Sequence, residues 1–411
     1  MQGKIINDPV YGFIRFPEKE MMQLIDHPWF QRLRNIRQMG TASYVYPGAV
    51  HTRFHHSLGA AHLMQIALSE LRIKGIDISE KEVLAARQAI LLHDIGHGPF
   101  SHALEFSLIP DIRHEDLSKM MIEQLNAEYG GQLDMALDIF EGRFEKPFLH
   151  QLVSSQLDMD RMDYLNRDSF YTGVSEGVIG YHRILQMLTI QNDSLVVEEK
   201  GIHSVEKFII ARRLMYWQVY LHKTVLSSEQ LIIRILKRAK ELARQGVQLF
   251  CSPDLAFFLY EKINTVDFLA VPALLHRFCN LNDDDITLSI KAWQQHEDNV
   301  LSKLSRMLVS RKLYKAKISN HPLPETYETL MVKARRHFDE TTIPYFLFTG
   351  ITSNNTYNQD DEQINILMKT GDIRNISEVE NALINTLTSG SIEKHFICYV
   401  PELVNDQYRC C

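Results

Sequence analysis

The chain lacks any long hydrophobic run, because nowhere do its 411 residues contain the roughly 18 consecutive apolar residues of a membrane-spanning helix. Its first residues also lack the apolar core of a signal peptide. The five cysteines show no CxxC spacing, which is typical of reduced thiols and argues against a disulfide or zinc framework. These absences predict a cytoplasmic protein that does not enter a membrane.

An excess of positive charge is also absent. Lys and Arg number 44 against 51 Asp and Glu, which gives a net charge of −7. This balance argues against broad nucleic-acid binding, because a polyanion is attracted by a positive field. Any polyanionic substrate therefore needs a local cluster of cationic side chains.

Helical patterning dominates as far as about residue 317, and short β-rich runs follow from about 340. We therefore expect a mainly α fold, with a helical body over 1–320 and a small C-terminal α/β module with its linker over 321–411. Turn residues predict hairpins over 1–16 and about 189–201. Candidate helices cover 18–25, 28–39, 56–73, 80–93, 115–127, 132–140, 147–165, 180–187, 203–245, 252–263, 266–278, 283–296 and 298–310. Candidate strands of the module cover 343–348, 363–368 and 395–400, with a helix beginning at 377.

Four residues with metal-ligand chemistry are His56, the adjacent pair His93 and Asp94, and Asp160. Gly96 ends the helix that carries His93, so the pair is expected at a helix end facing a loop. Imidazole and carboxylate together suit a divalent Mn, Fe, Ni, Zn or Mg ion. Such an ion polarises phosphoryl oxygens, so the set predicts a metal-dependent phosphohydrolase. A His-Asp pair taken alone is explained equally well by helix capping.

Three sequence strings carry a family resemblance: RFHHSLG from Arg53, HDIGHGPFSH from His93 and LDMDRMDY from Leu157. In this order they resemble the HD-domain phosphohydrolases, and most closely the deoxynucleoside triphosphate (dNTP) triphosphohydrolase branch with the sterile-alpha-motif/HD dNTPase. The resemblance runs from about Lys4 to about Lys317. It implies an HD-domain helical bundle that hydrolyses dNTPs to deoxynucleoside and triphosphate. It also implies that the metal ligands are His56, His93, Asp94 and Asp160.

The resemblance further implies roles for residues beyond the metal ligands. Proton transfer and transition-state stabilisation fall to His97, His102 and His114, with Glu105 as an orienting carboxylate. Substrate contacts fall to Gln38, Arg53, Arg161, Tyr164, Asp168, Arg212 and Tyr220. Arg161 stands where the animal enzyme has a lysine, which keeps the charge and changes the geometry.

Two stripes at helical spacing accompany these assignments. Asp160, Tyr164 and Asp168 recur every four residues and so share one helix face. The second stripe consists of Arg212, Tyr216, Tyr220 and Lys223, which an amphipathic helix with a tyrosine seam would also explain.

Four N-terminal residues match positions that hold an activating guanine nucleotide between subunits of the tetrameric animal enzyme. They are Lys4, Asp26, Gln31 and Arg34. The resemblance therefore implies a homo-oligomer, dimer or tetramer, with GTP or a dNTP as activator. The animal enzyme's additional N-terminal domain is not expected here. The alternative is structural, since Asp26 before Pro28 is a good helix N-cap.

Other interpretations keep the same site. In the first alternative, the chain is an HD enzyme that acts on another nucleotide phosphate ester, such as a monophosphate, a cyclic nucleotide or (p)ppGpp. A second alternative is a non-catalytic nucleotide-sensing module, against which the complete set of metal ligands and histidines argues. A di-iron oxygenase would need a further histidine beside His93, which has Leu92 before it.

Overall fold

The computed structural model describes residues 3–101, 104–105, 109, 112–354, 363–379 and 392–404. Helices predominate among them and small sheets occupy the C-terminal region, which confirms the mainly α fold with a small α/β part. No helix in these ranges combines the length and apolar character needed to cross a membrane. The α-helices are Lys19–Asp26, Pro28–Gln31, Arg53–Ile73, Glu80–Leu92, His114–Glu128, Asp134–Phe140, Pro147–Val153, Met159–Thr172, Tyr181–Met187, Ile202–Met215, Lys223–Arg244, Pro253–Tyr260, Thr265–Ala270, Pro272–Cys279, Asp283–Trp293, Asn299–Val309, Pro324–Ala334 and Ile343–Phe346.

The helix Arg53–Ile73, here called the His56 helix, packs against Glu80–Leu92 and against Met159–Thr172, here called the Asp160 helix. Gly59 allows the second of these contacts. A Cβ at Gly59 would lie 2.0 Å from Asp163 Oδ1 and 2.2 Å from Arg167 Nη2. Since real Cβ atoms do not come so close to other atoms, a glycine is required where these two helices cross.

The Asp160 helix begins later than the sequence predicts. The expected single helix over 147–165 is wrong, because Pro147–Val153 ends before Ser154 and a new helix starts at Met159. Asp158 caps it, with Oδ1 accepting a hydrogen bond from Arg161 N at 2.7 Å. The break places Asp160 in the first helical turn.

The expected end of the helix that leads to His93 is confirmed. Ser79 and Glu82 form a capping box at its start, with Glu82 Oε2 accepting from Ser79 N at 2.6 Å. The helix ends at Leu92, so the following residues turn into a loop. At Gly96 a Cβ would lie 2.4 Å from His114 O, so this glycine lets the loop approach the next helix closely.

The predicted helix over 203–245 is interrupted at the second stripe. Ile202–Met215 continues into one π-helical stretch, Tyr216–Tyr220, before the helix Lys223–Arg244 begins. His222 caps that helix, with Nδ1 accepting from Thr224 N at 3.2 Å. Single π turns occur frequently at functional sites, where they redirect side chains.

Other expected helices have different bounds. The helix from Pro28 ends at Gln31 and continues as the 3-10 turn Arg32–Asn35. His27 caps it through Nδ1 and Trp29 N, so the expected N-cap, Asp26, is instead the last residue of the preceding helix. The predicted helix over 266–278 is divided, because the residue before Pro272 is extended.

Three small sheets complete the fold. The strands are β1 Lys4–Asp8, β2 Gly12–Phe16, β3 Leu188–Gln191, β4 Ser194–Glu198, β5 Lys315–Ser319, β6 Leu347–Asn354, β7 Asn365–Leu367, β8 Ile373–Asn375 and β9 Ile392–Tyr399. Both predicted hairpins are confirmed: β1 pairs with β2 and β3 with β4, each antiparallel. The β3–β4 hairpin extends into a four-stranded sheet, where β4 runs parallel to β7.

The remaining sheet has the order β5-β9-β6. The predicted strand over 343–348 is wrong in its first half, because Ile343–Phe346 forms a helical turn and β6 begins at Leu347. Pro344 has no N–H for a strand ladder and favours a first helical turn. The helix expected from 377 falls partly on residues 380–391, outside the described residues. The boundary at residue 320 stays a prediction.

Candidate functional site

The side chains predicted as metal ligands converge from three parts of the chain. His56 Nε2 lies 3.4 Å from His93 Nε2 and 3.1 Å from Asp160 Oδ1. Asp94 completes the group, with Oδ1 3.4 Å from His93 Nε2 and Oδ2 3.6 Å from His56 Nε2. Ligand atoms of His56, His93 and Asp160 thus lie within 4.8 Å of one another, and Asp94 lies beside them.

Hydrogen bonds at the Nδ1 atoms fix the orientation of both imidazoles. His56 Nδ1 donates to Asp163 Oδ2 at 2.8 Å, and His93 Nδ1 donates to Ile90 O at 2.6 Å. Each Nε2 therefore faces the cluster, where it offers a lone pair to a metal ion once its proton has been displaced. Burial lowers the pKa of His56, but hydrogen bonds to Asp160 and Asp163 raise it to about 10. The cluster therefore attracts positive charge at its centre, and its donors fit a divalent cation.

Asp163 is fully buried and links the His56 helix to the N-terminal hairpin. It accepts two hydrogen bonds from Arg167, from Nε and Nη2, each at 2.9 Å. Arg167 Nη1 donates in turn to Asp8 Oδ2 at 2.8 Å. This buried chain of charges holds the His56 ring in place. Sequence reasoning missed Asp163, although Asp160, Asp163 and Arg167 recur at i, i+3 and i+7 on one helix face.

Two further histidines lie beside the cluster. The rings of His97 and His114 stack with centroids 3.8 Å apart, and His97 Nε2 is 3.3 Å from Asp94 Oδ1. Burial and the Arg53 charge hold the pKa of His97 well below its usual range, so this ring is neutral at pH 7. Glu105 Oε1 lies 2.5 Å from His114 Nδ1 and accepts from His114 N, the orientation expected for this carboxylate. His102 lies outside the described residues.

The carboxylate of Asp168 joins two buried side chains. Tyr220 Oη donates to its Oδ2 at 2.6 Å, and His51 Nε2 lies 2.7 Å from its Oδ1. His51 stacks on Tyr171 with ring centroids 4.4 Å apart. Tyr164 packs edge-on to Tyr220, with centroids 6.3 Å apart. Both predicted stripes thus meet at one place, and the π-helical stretch presents Tyr220 to the Asp160 helix.

These groups line one cavity of about 560 Å³. Asp94 and Asp160 lie at one part of its wall, and Thr352 of strand β6 brings the C-terminal region to it. The Oε1 atom of Gln38 is buried there without a hydrogen-bond partner among the described residues. Other lining residues are Gln38, Arg53, His97, His114, Tyr164, Asp168, Tyr216, Tyr220, Leu221, Val225 and Glu229.

Of the three arginines predicted to contact phosphate, one lines the cavity and two do not. Arg53 lines the cavity, where Nη1 contacts Asp94 Oδ2 and Nε donates to Ser101 Oγ at 2.8 Å. Arg161 instead pairs with Asp158 on its own helix. Arg212 donates to Gln156 Oε1 at 2.8 Å. The structure therefore brings Arg53 directly to the cavity, while Arg161 and Arg212 hold partners beside it.

The residues expected at a regulatory site form two exposed pairs. Lys4 Nζ lies 3.5 Å from Asp26 Oδ1. Arg34 Nε donates to Gln31 Oε1 at 2.7 Å and its guanidinium stacks 3.7 Å from the ring of Phe54. These contacts leave nucleotide binding at this surface a prediction.

Sequence reasoning missed Glu229 and Thr352, which line the cavity, and His51, which contacts Asp168. Their spacing to the metal ligands follows no helical period, because the packing of remote segments brings them to the site.

The chain matches known families and proteins along most of its length. Residues 53–168 match the family model described as HD domain, and residues 179–254 match the one described as HD associated region. A crystal structure of a phosphohydrolase from Bacteroides thetaiotaomicron shares 48% sequence identity with a TM-score of 0.92, covering 97% of this chain and 100% of that one. An uncharacterised protein of Bacillus subtilis is 32% identical, with 98% of this chain and 94% of that protein covered.

Some of the relatives have a named activity. The deoxynucleoside triphosphate triphosphohydrolase SAMHD1 of Homo sapiens is 33% identical over 264 residues, which cover 54% of this chain and 42% of that protein. The SAMHD1 homolog of Dictyostelium discoideum is 32% identical, with 60% of this chain and 51% of that protein covered. The chain therefore aligns with about half of each of these longer relatives.

Proposed function

The chain belongs to the HD-domain phosphohydrolase family, and we propose that it hydrolyses deoxynucleoside triphosphates to deoxynucleoside and inorganic triphosphate. One observation carries the proposal: Asp94 and Asp160 of the His/Asp cluster line the same cavity as Asp168, Tyr164 and Tyr220. Its volume of about 560 Å³ lies within the range of small-ligand sites. A phosphate group at the cluster would thus have a place for its nucleoside within the same cavity.

The cluster supports the hydrolytic half of the proposal. His56, His93, Asp94 and Asp160 would hold a divalent ion, which supplies Lewis-acid activation of a phosphoryl group when bound. Arg53 offers a fixed positive charge at the same wall for a phosphate oxygen.

His114 supports the proton-transfer step. Its Nδ1 donates to Glu105, which fixes the orientation of the ring. In our proposal His114 donates a proton to the leaving 5′ oxygen of the deoxynucleoside. The neighbouring His97, held neutral by burial and Arg53, offers a hydrogen bond without adding charge.

The nucleoside half rests on the pair formed by Asp168 and Tyr220. The carboxylate is an acceptor for a 3′-hydroxyl, and the Tyr220 ring, anchored by its 2.6 Å hydrogen bond, fills space beside it. A 2′-hydroxyl placed there would contact the ring and lose its hydration, which favours deoxyribose. Tyr164, edge-on to Tyr220, offers an aromatic surface for the sugar.

Finer features of the proposal follow the family resemblance. The chain would act as a homo-oligomer in the cytoplasm, with a catalytic body over 1–320 and an α/β module over 321–411. Activation by GTP or a dNTP would use the surface formed by Lys4, Asp26, Gln31 and Arg34. Adding GTP to a dNTPase assay tests this directly: the activity of wild type should rise, and that of Arg34→Ala should not.

Replacement of Asp160 tests the enzymatic assignment. Asp160→Ala is expected to lose bound metal and dNTP hydrolysis together, because it removes one of the converging carboxylates. The matched control is Asp77→Ala, since Asp77 is fully exposed. Metal content and products from a panel of dNTPs, nucleoside monophosphates, cyclic nucleotides and (p)ppGpp are measured for both. Full turnover by Asp160→Ala would refute the assignment, and turnover confined to another ester would replace the substrate.

A further inference from the structure

One carboxyl group in the cavity has no role in the chemistry described above. Glu229 lies on the helix Lys223–Arg244 and lines the cavity together with Val225, one helical turn before it. Among the described residues its carboxyl has neither a hydrogen-bond donor nor a cationic partner. Burial raises its pKa to about 7. A carboxyl in this state lacks the donors that would stabilise its charged form.

Glu229 lies near the tyrosines of the same cavity wall. Burial raises the pKa of Tyr216, and the nearby charges of Tyr164 and Glu229 raise it further. The ring centroids of Tyr216 and Tyr220 are 6.0 Å apart, and Glu229 lies on the helix that begins after Tyr220. This part of the wall therefore adjoins the proposed sugar contacts at Tyr220.

A nucleotide bound with its phosphates at the cluster and its sugar at Asp168 would direct its base toward this part of the wall. Leu221 and Val225 offer apolar contact to a base face, and Glu229 offers oxygens to a base edge. An ionised carboxylate only accepts hydrogen bonds, and it binds two adjacent N–H donors best. Guanine is the DNA base that presents two adjacent donors on one edge, N1–H and the 2-amino group.

We propose that Glu229 is a specificity residue that recognises guanine by accepting hydrogen bonds from N1–H and the 2-amino group. The inference rests on the proposed nucleotide substrate and names the base it prefers. The energetic reason is that hydrogen bonds accepted by an ionised carboxylate are charge-assisted and stronger than those accepted by a neutral group. A base without these donors leaves it unpaired, so discrimination results from both the gained and the missing contacts.

Equilibrium binding of dGTP, dITP and dATP to the metal-loaded protein tests this without relying on turnover. The base of dITP lacks the 2-amino group and that of dATP lacks both donors. Wild type should bind dGTP about 10-fold or more tighter than dITP, as expected for a charge-assisted hydrogen bond. Glu229→Gln should lose most of that preference and gain relative affinity for dATP, because an amide both donates and accepts.

Glu123→Gln is the matched control, because this carboxyl is about half exposed, pairs with Lys119 and does not line the cavity. It should bind all three nucleotides as wild type does. Equal affinity of wild type for dGTP and dITP, or an unchanged preference in Glu229→Gln, would overturn the inference. Turnover of the same nucleotides is measured in parallel. Preferential binding of dGTP without hydrolysis would support base recognition by Glu229 and refute the proposed dNTP hydrolysis. Hydrolysis without preference for a base would support the proposed function and refute the role of Glu229.

Discussion

The substitution Gly59→Ala tests how closely metal binding depends on the crossing of two helices. The added Cβ would lie 2.0 Å from Asp163 Oδ1 and 2.2 Å from Arg167 Nη2. In an isolated helix alanine would be favoured by about 1 kcal/mol. Here overpacking costs about 1–3 kcal/mol, and disrupting a buried ion pair costs about 3–5 kcal/mol more if the pair is broken. A Cβ this close forces the pair apart, so we expect a net loss of about 3–7 kcal/mol in the free energy of unfolding.

The same change should weaken metal binding, because Asp163 holds His56 Nδ1 at 2.8 Å. Loss of such a supporting contact typically reduces metal affinity about 10- to 100-fold. Urea unfolding and calorimetric metal titration measure the two effects. Gly180→Ala is the control, since nothing lies within 4 Å of a Cβ at Gly180 and its φ is −83°. Wild-type stability and metal affinity in Gly59→Ala would refute the reasoning.

Three further predictions concern the cavity and its surroundings. Tyr220→Phe removes the hydrogen bond to Asp168, so kcat/KM for dNTPs should fall about 10-fold or more. Discrimination against ribonucleotides should also weaken, and unchanged discrimination would contradict the sugar contact. His114→Asn should lower kcat about 10²- to 10⁴-fold with little change in KM, and Glu105→Gln should lower kcat less. A change confined to KM in His114→Asn would contradict its role in proton transfer. Burial raises the pKa of Asp283 to about 6, so the folded state retains a proton that the unfolded state releases near pH 3.8. Stability should therefore fall by up to about 3 kcal/mol between pH 4 and pH 6, and Asp283→Asn should flatten this slope in urea unfolding curves measured across that range.

The candidate metal site was the most predictable part of the molecule. His56, His93, Asp94 and Asp160 occur in sequence strings specific enough to indicate their convergence, and the structure places their ligand atoms together. The end of the helix before His93 was also predictable, because glycine at position 96 is a local signal. Local chemistry determines both features.

The residues that support the site were harder to predict. Asp163 acts through His56, more than one hundred positions earlier in the chain, and Glu229 reaches the cavity from a helix after the π-helical stretch. Such contacts depend on tertiary packing, and tertiary packing produces no periodic pattern of residues from which they could be predicted. The same limit explains the single helix expected over 203–245, since amphipathic spacing continues through Tyr216–Tyr220 although the backbone changes there.

The identity of the products tests the central claim most directly. Each dNTP is incubated with the metal-loaded protein in ¹⁸O-labelled water. The products are then separated, and their masses are measured by mass spectrometry. We predict deoxynucleoside and intact triphosphate in equal amounts, with the label in the triphosphate because water attacks the α-phosphorus. Deoxynucleoside monophosphate with pyrophosphate, label in the deoxynucleoside, or no turnover by metal-loaded protein would contradict the account.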